Sequence, residues 1–226
     1  MHKLKKIVII PVYNESENIS ELILSLEKIC DICIINDYST DNTLEILKQF
    51  NFIHIIENDC NLHISKSIQK GFKYAIKQEY DLIATMDAGN SHSPSDLENL
   101  FKNHNYDLIL SRRVSKKNIP IFRDLISKIG NIIFNFLYLK KGSQFTFIFD
   151  STSGLRIYSK KSVSNILENK IVSKSFGFHM ESLYRANAYK NKIVQIPIDY
   201  NFTGSSFTLK SLLDALKTIT FLIIKS

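Results

Sequence analysis

A chain of 226 residues with 44% apolar content can bury one substantial core, and no Pro/Gly-rich or low-complexity stretch divides it; one unit over residues 1–226 is expected and a disordered chain is excluded. A net charge of +7 favours contact with something anionic, whether nucleic acid, a phosphorylated small molecule or an acidic membrane face. Cys30, Cys33 and Cys60 are too few and too irregular for a disulfide framework, and Cys30-x-x-Cys33 lacks the second pair a zinc site needs, so a reducing cytosolic setting is expected.

The first predicted strand is the β-branched run Ile7-Val8-Ile9-Ile10, which suits the interior of a parallel sheet. Pro11 cannot donate to a ladder, so Tyr13, Asn14 and Glu15 are expected to emerge at the carboxyl edge, where open α/β sheets bind ligands. An Asn14-x-x-Glu17 pair resembling a capping box then precedes Ile19, Leu22, Ile23, Leu26 and Ile29 at helical spacing. Pro11 and Asn14 interrupt the opening apolar run, which reads as neither signal peptide nor membrane span.

Short apolar strands are predicted next at 32–35, 52–56, 82–86 and 108–110. Helices between them are marked by Leu44 and Leu47, by Ile64, Ile68, Phe72 and Ala75, and by Leu97, Leu100 and Phe101 behind the start signal Ser93-Pro94. This alternation predicts an α/β fold with a mostly parallel sheet flanked by helices. After about residue 111 the pattern weakens. Beyond Pro120, the residues Phe122, Leu125, Ile126, Ile129, Ile132, Ile133, Phe136 and Leu137 place a wide apolar stripe on one helix, which either packs in a core or rests on a bilayer. The tail 209–224 repeats the pattern and is too short to span a membrane.

Acidic residues follow three of the strands: Glu15, Asp37 and Asp87. Ser39 to Asp41 turn the chain and Asp41 reads as a cap for the next helix, whereas Asp37 suits recognition of base or ribose donors. Arg112, Arg113, Lys116, Lys117 and Arg123 form an acid-free basic run ahead of the apolar helix, either a solvated face or a grip on a lipid phosphate.

Taken together and in order, Pro11 to Glu15, Asn36 to Thr43 and Asp87 to Pro94 resemble the nucleotide-sugar half of inverting family 2 glycosyltransferases with the GT-A fold, a half that would span about residues 1–111. Leu110-Ser111-Arg112 resembles the Gly-Ser-Arg of polyprenyl-phosphate (dolichol-phosphate) mannosyl- or glucosyltransferases, and Asp150-Ser151-Thr152-Ser153-Gly154-Leu155-Arg156 resembles their Thr-Ser-Gly-Phe-Arg. The segment 176–186 resembles their glutamate-bearing helix, and Ile196-Pro197-Ile198 precedes Gly204-Ser205-Ser206, within an acceptor half of about 112–226.

The resemblance implies that Pro11, Tyr13, Glu15 and Asp37 hold the nucleoside and that Asp87 faces the sugar diphosphate and holds Mg²⁺ or Mn²⁺. Arg112, Arg123 and Arg156 would arrange phosphates. Glu181 would act as base if the acceptor were a sugar hydroxyl, or else is a buried glutamate holding the flanking loop. The chain departs from the family pattern at Asp87-Ala88-Gly89, where the second Asp of Asp-x-Asp is missing, and at Ser91, where relatives carry Gln. Asn90 or His92 would have to compensate, His92 otherwise being a structural partner. Asn61-Leu62-His63 and Gly204-Ser205-Ser206-Phe207 likewise replace Asn-x-Gly and Gly-x-Ser-Lys.

The activity implied is inverting transfer of a hexose from a nucleoside-diphosphate sugar to a polyprenyl phosphate, by a protein peripheral to the cytoplasmic face of an anionic membrane. Two alternatives stand beside it: a soluble family 2 transferase extending a surface glycan, and a catalytically silent nucleotide-sugar-binding protein. Nucleic acid is not an expected partner because no recognised fingerprint accompanies the basic charge. A Rossmann dehydrogenase is not expected, because no Gly-x-Gly-x-x-Gly follows the first strand.

Overall fold

A computed structural model describes residues 4–89, 91–117, 121–141, 147–201 and 209–225. The elements run β1 (Lys6–Val12), α1 (Ile19–Leu26), β2 (Asp31–Asn36), α2 (Thr43–Leu47), β3 (His54–Glu57), α3 (His63–Lys77), β4 (Leu82–Thr85), α4 (Pro94–Phe101), β5 (Leu108–Lys117), α5 (Ile121–Lys141), β6 (Arg156–Ser159), α6 (Lys160–Leu167), α7 (Gly177–Ala188), β7 (Ile193–Asn201) and α8 (Leu209–Lys225). The strands form one sheet in the order β3-β2-β1-β4-β6-β5-β7.

Every neighbouring pair is parallel except those that β6 makes with β4 and β5. The parallel strands β1, β2 and β4 therefore end at one edge, and β6, running the other way, begins there, with Arg156 opposite both Thr85 and Leu110. The predicted strands before residue 111 are all present. Sequence patterning did not mark β6 and β7, whose short apolar stretches are interrupted by the polar residues Arg156, Ser159, Gln195 and Asp199.

Alternating side chains build the two apolar layers, as a period of two requires. Ile7, Ile9, Cys33 and Ile35 face a cluster completed by Phe72 of α3, Phe134 of α5, Ile166 of α6, Phe178 of α7 and Ile219 of α8. Val8, Ile10, Ile32 and Ile34 face Leu22 of α1, Leu47 of α2 and Leu97 of α4. Helix α3 lies close on the sheet because Gly71 lacks a side chain: a Cβ there would stand 2.4 Å from Ile9 Cγ2.

Two helix starts test the capping readings. At α4 the start signal is realised: Ser93 Oγ accepts from Asp96 N, Ser93 N donates back to Asp96 Oδ2, and Pro94 occupies the first turn. At α1 the expected Asn14-x-x-Glu17 box does not form, and the helix begins only at Ile19 without a side-chain cap. Asn14 adopts φ 56° instead and bonds across to Thr40. Its side chain is worth more stitching two strand-end loops together than capping a helix that already starts later.

Candidate active site

The loops after β1 and β2 are knitted edge to edge. Asp37 N donates to Val12 O, Asn14 N donates to Ser39 Oγ, and Thr40 N donates to Asn14 Oδ1 at 2.8 Å. Glu15 N donates to the buried Thr43 Oγ1, and Asp41 accepts from both Ser16 N and Thr43 N. Asp41 is thus a bridge between loops as well as a helix-start residue. On this scaffold Tyr13 is exposed, Pro11 is half-buried beside Ile35, and Glu15 is half-buried.

Glu15 and Asp87 lie close enough to influence each other: burial, then Asp41, then Asp87 push the Glu15 carboxyl above its ordinary value. The Asp87 side chain keeps 37% of its surface exposed. Asp37 is buried differently. Its Oδ1 accepts from Asn58 Nδ2 at 2.7 Å and from Leu62 N at 2.8 Å, so this oxygen fixes the loop between β3 and α3. Among the described residues, Oδ2 is the oxygen of that carboxylate without a protein donor.

The segment 150–156 forms the other wall of the rim and is clamped from two sides. Arg113 of β5 makes a two-pronged pair with Asp150, Nε to Oδ2 at 2.6 Å and Nη2 to Oδ1 at 2.8 Å, and also donates to Thr152 Oγ1. Burial opposes the Arg113 charge, but Asp150 more than offsets this and holds the guanidinium above its ordinary range, with Asp87 adding to the effect. From within, Arg156 donates to the carbonyls of Ser151, Ser153 and His179. Thr85 Oγ1 donates to Gly154 O at 2.8 Å, which locks the segment onto β4.

Gly154 then meets Asp87 directly. A Cβ on residue 154 would stand 2.6 Å from both carboxylate oxygens of Asp87. On the opposite flank His92 is buried, with Nε2 3.9 Å from Asp87 Oδ2. Burial lowers its pKa despite Asp87, so this separation is proximity of a neutral imidazole and not an ion pair.

Two expectations are corrected by this geometry. Arg156 is fully buried and spends its donors on main-chain carbonyls, so it shapes the wall behind Asp87 and has no free face for a phosphate. Glu181 is fully buried as well: it accepts from Val172 N and Ser173 N and pairs with Arg185 at 2.7 Å. A carboxylate committed this way holds the loop before α7, which is the structural one of the two roles read for it. Asn90, the side chains of Lys116, Lys117 and Arg123, and residues 204–207 lie outside the described residues.

Pairings the sequence patterns did not single out complete the rim. Arg113, Asp150 and Thr152 act as one bracket, and Arg112 lays its guanidinium over Phe149, 3.8 Å from the ring centroid. Asn131 of α5 donates to the carbonyls of Ile148 and Phe149, which ties Arg112 to that helix. The basic run read as a unit is divided at Arg112 and Arg113: one cation braces Asp150, the other stacks on Phe149. Pairing with an acid 37 residues away leaves no local signal in the sequence.

A mostly parallel sheet whose strand ends carry acids on one edge, with a clamped second wall opposite, defines a GT-A-type nucleotide-diphospho-sugar transferase. Residues 7–167 match Glycosyl transferase family 2, and the chain belongs to that family, as a glycosyltransferase. It is 27% identical over 224 residues to the UDP-N-acetylglucosamine–dolichyl-phosphate N-acetylglucosaminyltransferase of Methanococcus voltae, covering 88% of this chain and 86% of the relative. It is 26% identical over 210 residues to the polyprenol monophosphomannose synthase of Mycolicibacterium smegmatis, covering 87% and 77%. Among solved structures, glucosyl-3-phosphoglycerate synthase from Mycobacterium tuberculosis, in complex with Mn²⁺, UDP and phosphoglyceric acid, superposes with a TM-score of 0.73 at 13% identity, over 98% of this chain and 78% of that one. This last likeness is one of fold.

Proposed function

We propose that the protein transfers a hexose, with inversion, from a nucleoside-diphosphate sugar to a polyprenyl phosphate while resting on the cytoplasmic face of an anionic membrane. The observation that carries the reading is the uncovered apolar face of α5, whose Asn131 holds the Phe149 segment on which Arg112 stacks. Helix α5 exposes Ile121, Leu125, Ile129, Ile132, Ile133 and Phe136, with Ile121 89% and Phe136 74% accessible, on the face opposite its buried Phe134 and Tyr138. Such a stripe beside cations suits a lipid surface. No helix among the described residues is long and apolar enough to cross a membrane.

In this mechanism the acceptor phosphate is already anionic, so one of its oxygens attacks the anomeric carbon as the bond to the leaving diphosphate breaks. No base is needed, which accords with a buried Glu181. The protein's work is positioning and charge screening. Pro11, Tyr13, Glu15 and Asp37 would cradle the nucleoside, and Arg112 and Arg123 would align the acceptor phosphate. Bound Mg²⁺ or Mn²⁺ would screen the leaving diphosphate.

The rim fits such an ion in donor chemistry, because Glu15 and Asp87 lie close enough to interact and the Asp87 carboxylate keeps 37% of its side-chain surface exposed. Among the described residues no group of three His, Cys, Asp or Glu side chains is arranged to hold a metal alone. Asp87 would therefore hold it together with oxygens of the nucleotide. Incubation with labelled nucleotide sugars, a polyprenyl phosphate and either metal, followed by mass spectrometry of the lipid, tests the proposal. A lipid carrying one hexose is expected; its absence with every donor, alongside transfer to a glycan, would overturn the acceptor assignment.

A second reading, extension of a glycan, is favoured by a cavity of about 510 Å³ reached from His92 and lined by Ser25, Ser91, Ser93, Ser115 and Asp199 among others. Hydroxyls and carboxylates without a lining lysine or arginine among the described residues suit a sugar hydroxyl better than a phosphate. Transfer to a soluble oligosaccharide in the absence of lipid would select it.

A further inference from the structure

Tyr38 stands just past β2 with φ 66°, in the left-handed region that a bulky side chain occupies at a cost and that glycine or asparagine occupies readily. Its surroundings impose this conformation. The residue before it is held through Asp37 N to Val12 O and Asp37 Oδ1 to Leu62 N; the two after it are held by Asn14, which accepts from Thr40 N and donates its own N–H to Ser39. Such a brace needs a left-handed residue, but not an aromatic one.

The ring gains nothing visible from the fold. It is 53% exposed, and its side chain makes no hydrogen bond or ring contact among the described residues. Strain at a position fixed on every side, spent to hold an aromatic outward, belongs to a site where the ring meets a ligand. The location narrows the ligand. Tyr38 sits on the same strand-end edge as Tyr13, also exposed, and beside Asp37, whose second oxygen has no protein donor among the described residues.

We propose that Tyr38 is a donor-binding residue that stacks on the flat heterocycle of the nucleoside diphosphate and so adds affinity for the base. The proposal rests on the reading of this edge as the nucleotide-sugar site. Base-on-aromatic stacking is sequence-tolerant and is lost on removal of the ring, with a loss of affinity of roughly 10-fold or more. The ring alone does this work, so the hydroxyl is dispensable.

The test is calorimetric titration of UDP, GDP, CDP and inorganic pyrophosphate into the wild type, Tyr38→Asn and Tyr38→Phe, with thermal unfolding of each unliganded protein. Asparagine tolerates the left-handed backbone, so Tyr38→Asn should unfold at or above the wild-type temperature yet bind the preferred nucleotide about 10-fold more weakly, with pyrophosphate binding unchanged. Tyr38→Phe should retain nucleotide affinity. Unchanged nucleotide affinity in Tyr38→Asn would overturn the proposal, and so would a parallel loss of unfolding temperature and pyrophosphate binding, which would make Tyr38 a loop-shaping residue. A wild type that binds none of the nucleotides would sink the donor-site reading itself.

Discussion

Replacing Gly154 by alanine perturbs the rim with one methyl group. The added Cβ would lie 2.6 Å from Asp87 Oδ1, 2.6 Å from Oδ2 and 2.8 Å from Cγ, whereas ordinary contact begins at 3.4 Å. The carboxylate must therefore move by about 0.8 Å, or the segment 150–156 must back away by as much. The segment has little freedom: Thr85 holds the Gly154 carbonyl, Arg156 holds those on Ser151 and Ser153, and Arg113 holds Asp150. Asp87, on the exposed side, gives way.

Misplacement of a reacting group by about 1 Å costs on the order of 100-fold in turnover, so Gly154→Ala should lose about that in kcat. Because the partly exposed carboxylate moves and the wall does not, the stability cost should stay at the low end of overpacking, about 1 kcal/mol, leaving the protein folded at assay temperature. A steady-state transfer assay with saturating donor, paired with urea unfolding, reads both quantities. Gly154→Ala at wild-type turnover would refute the reasoning, because Asp87 would then tolerate displacement and could not be the group that positions the diphosphate.

Asp87→Ala should abolish transfer, by at least about 100-fold, with an unfolding midpoint near that of the wild type, since its side chain is partly solvated. Arg156→Ala should do the reverse of a catalytic substitution: about 3–5 kcal/mol lost in denaturant unfolding, because three buried carbonyls lose their donor. Glu15 holds its proton more tightly when folded than when unfolded, so the folded state binds more protons above pH 4.5 and stability falls as pH rises through the raised folded pKa. Glu15→Gln should therefore raise the unfolding temperature at neutral pH and flatten that part of the pH profile in scanning calorimetry. Phe136→Asp on exposed α5 should leave unfolding unchanged and reduce flotation with anionic liposomes; undiminished flotation would remove α5 from the membrane surface.

The five strands and four helices that begin before residue 111 were legible because their signals are local. A four-residue β-branched run, a proline stop and a Ser-Pro helix start each act within a few positions, and parallel pairing then puts all their carboxyl ends on one edge. Glu15 and Asp87 could be placed on that edge from the chain alone. What surrounds them could not. Arg113 meets Asp150, Arg156 meets the carbonyl of His179, and Gly154 meets Asp87 only because β6 inserts antiparallel between β4 and β5.

That insertion brings together residues tens of positions apart, and a guanidinium reads the same in sequence whether it ends among carbonyls or in solvent. Burial decided the roles of Arg156 and Glu181, turning two candidate catalytic groups into anchors. The exposed stripe of α5 was visible as a helical period, but whether it packed inward or faced out depended on which side its neighbours left uncovered. Local sequence specified the strands and the acids they deliver; tertiary packing selected which charged side chains remain free to act.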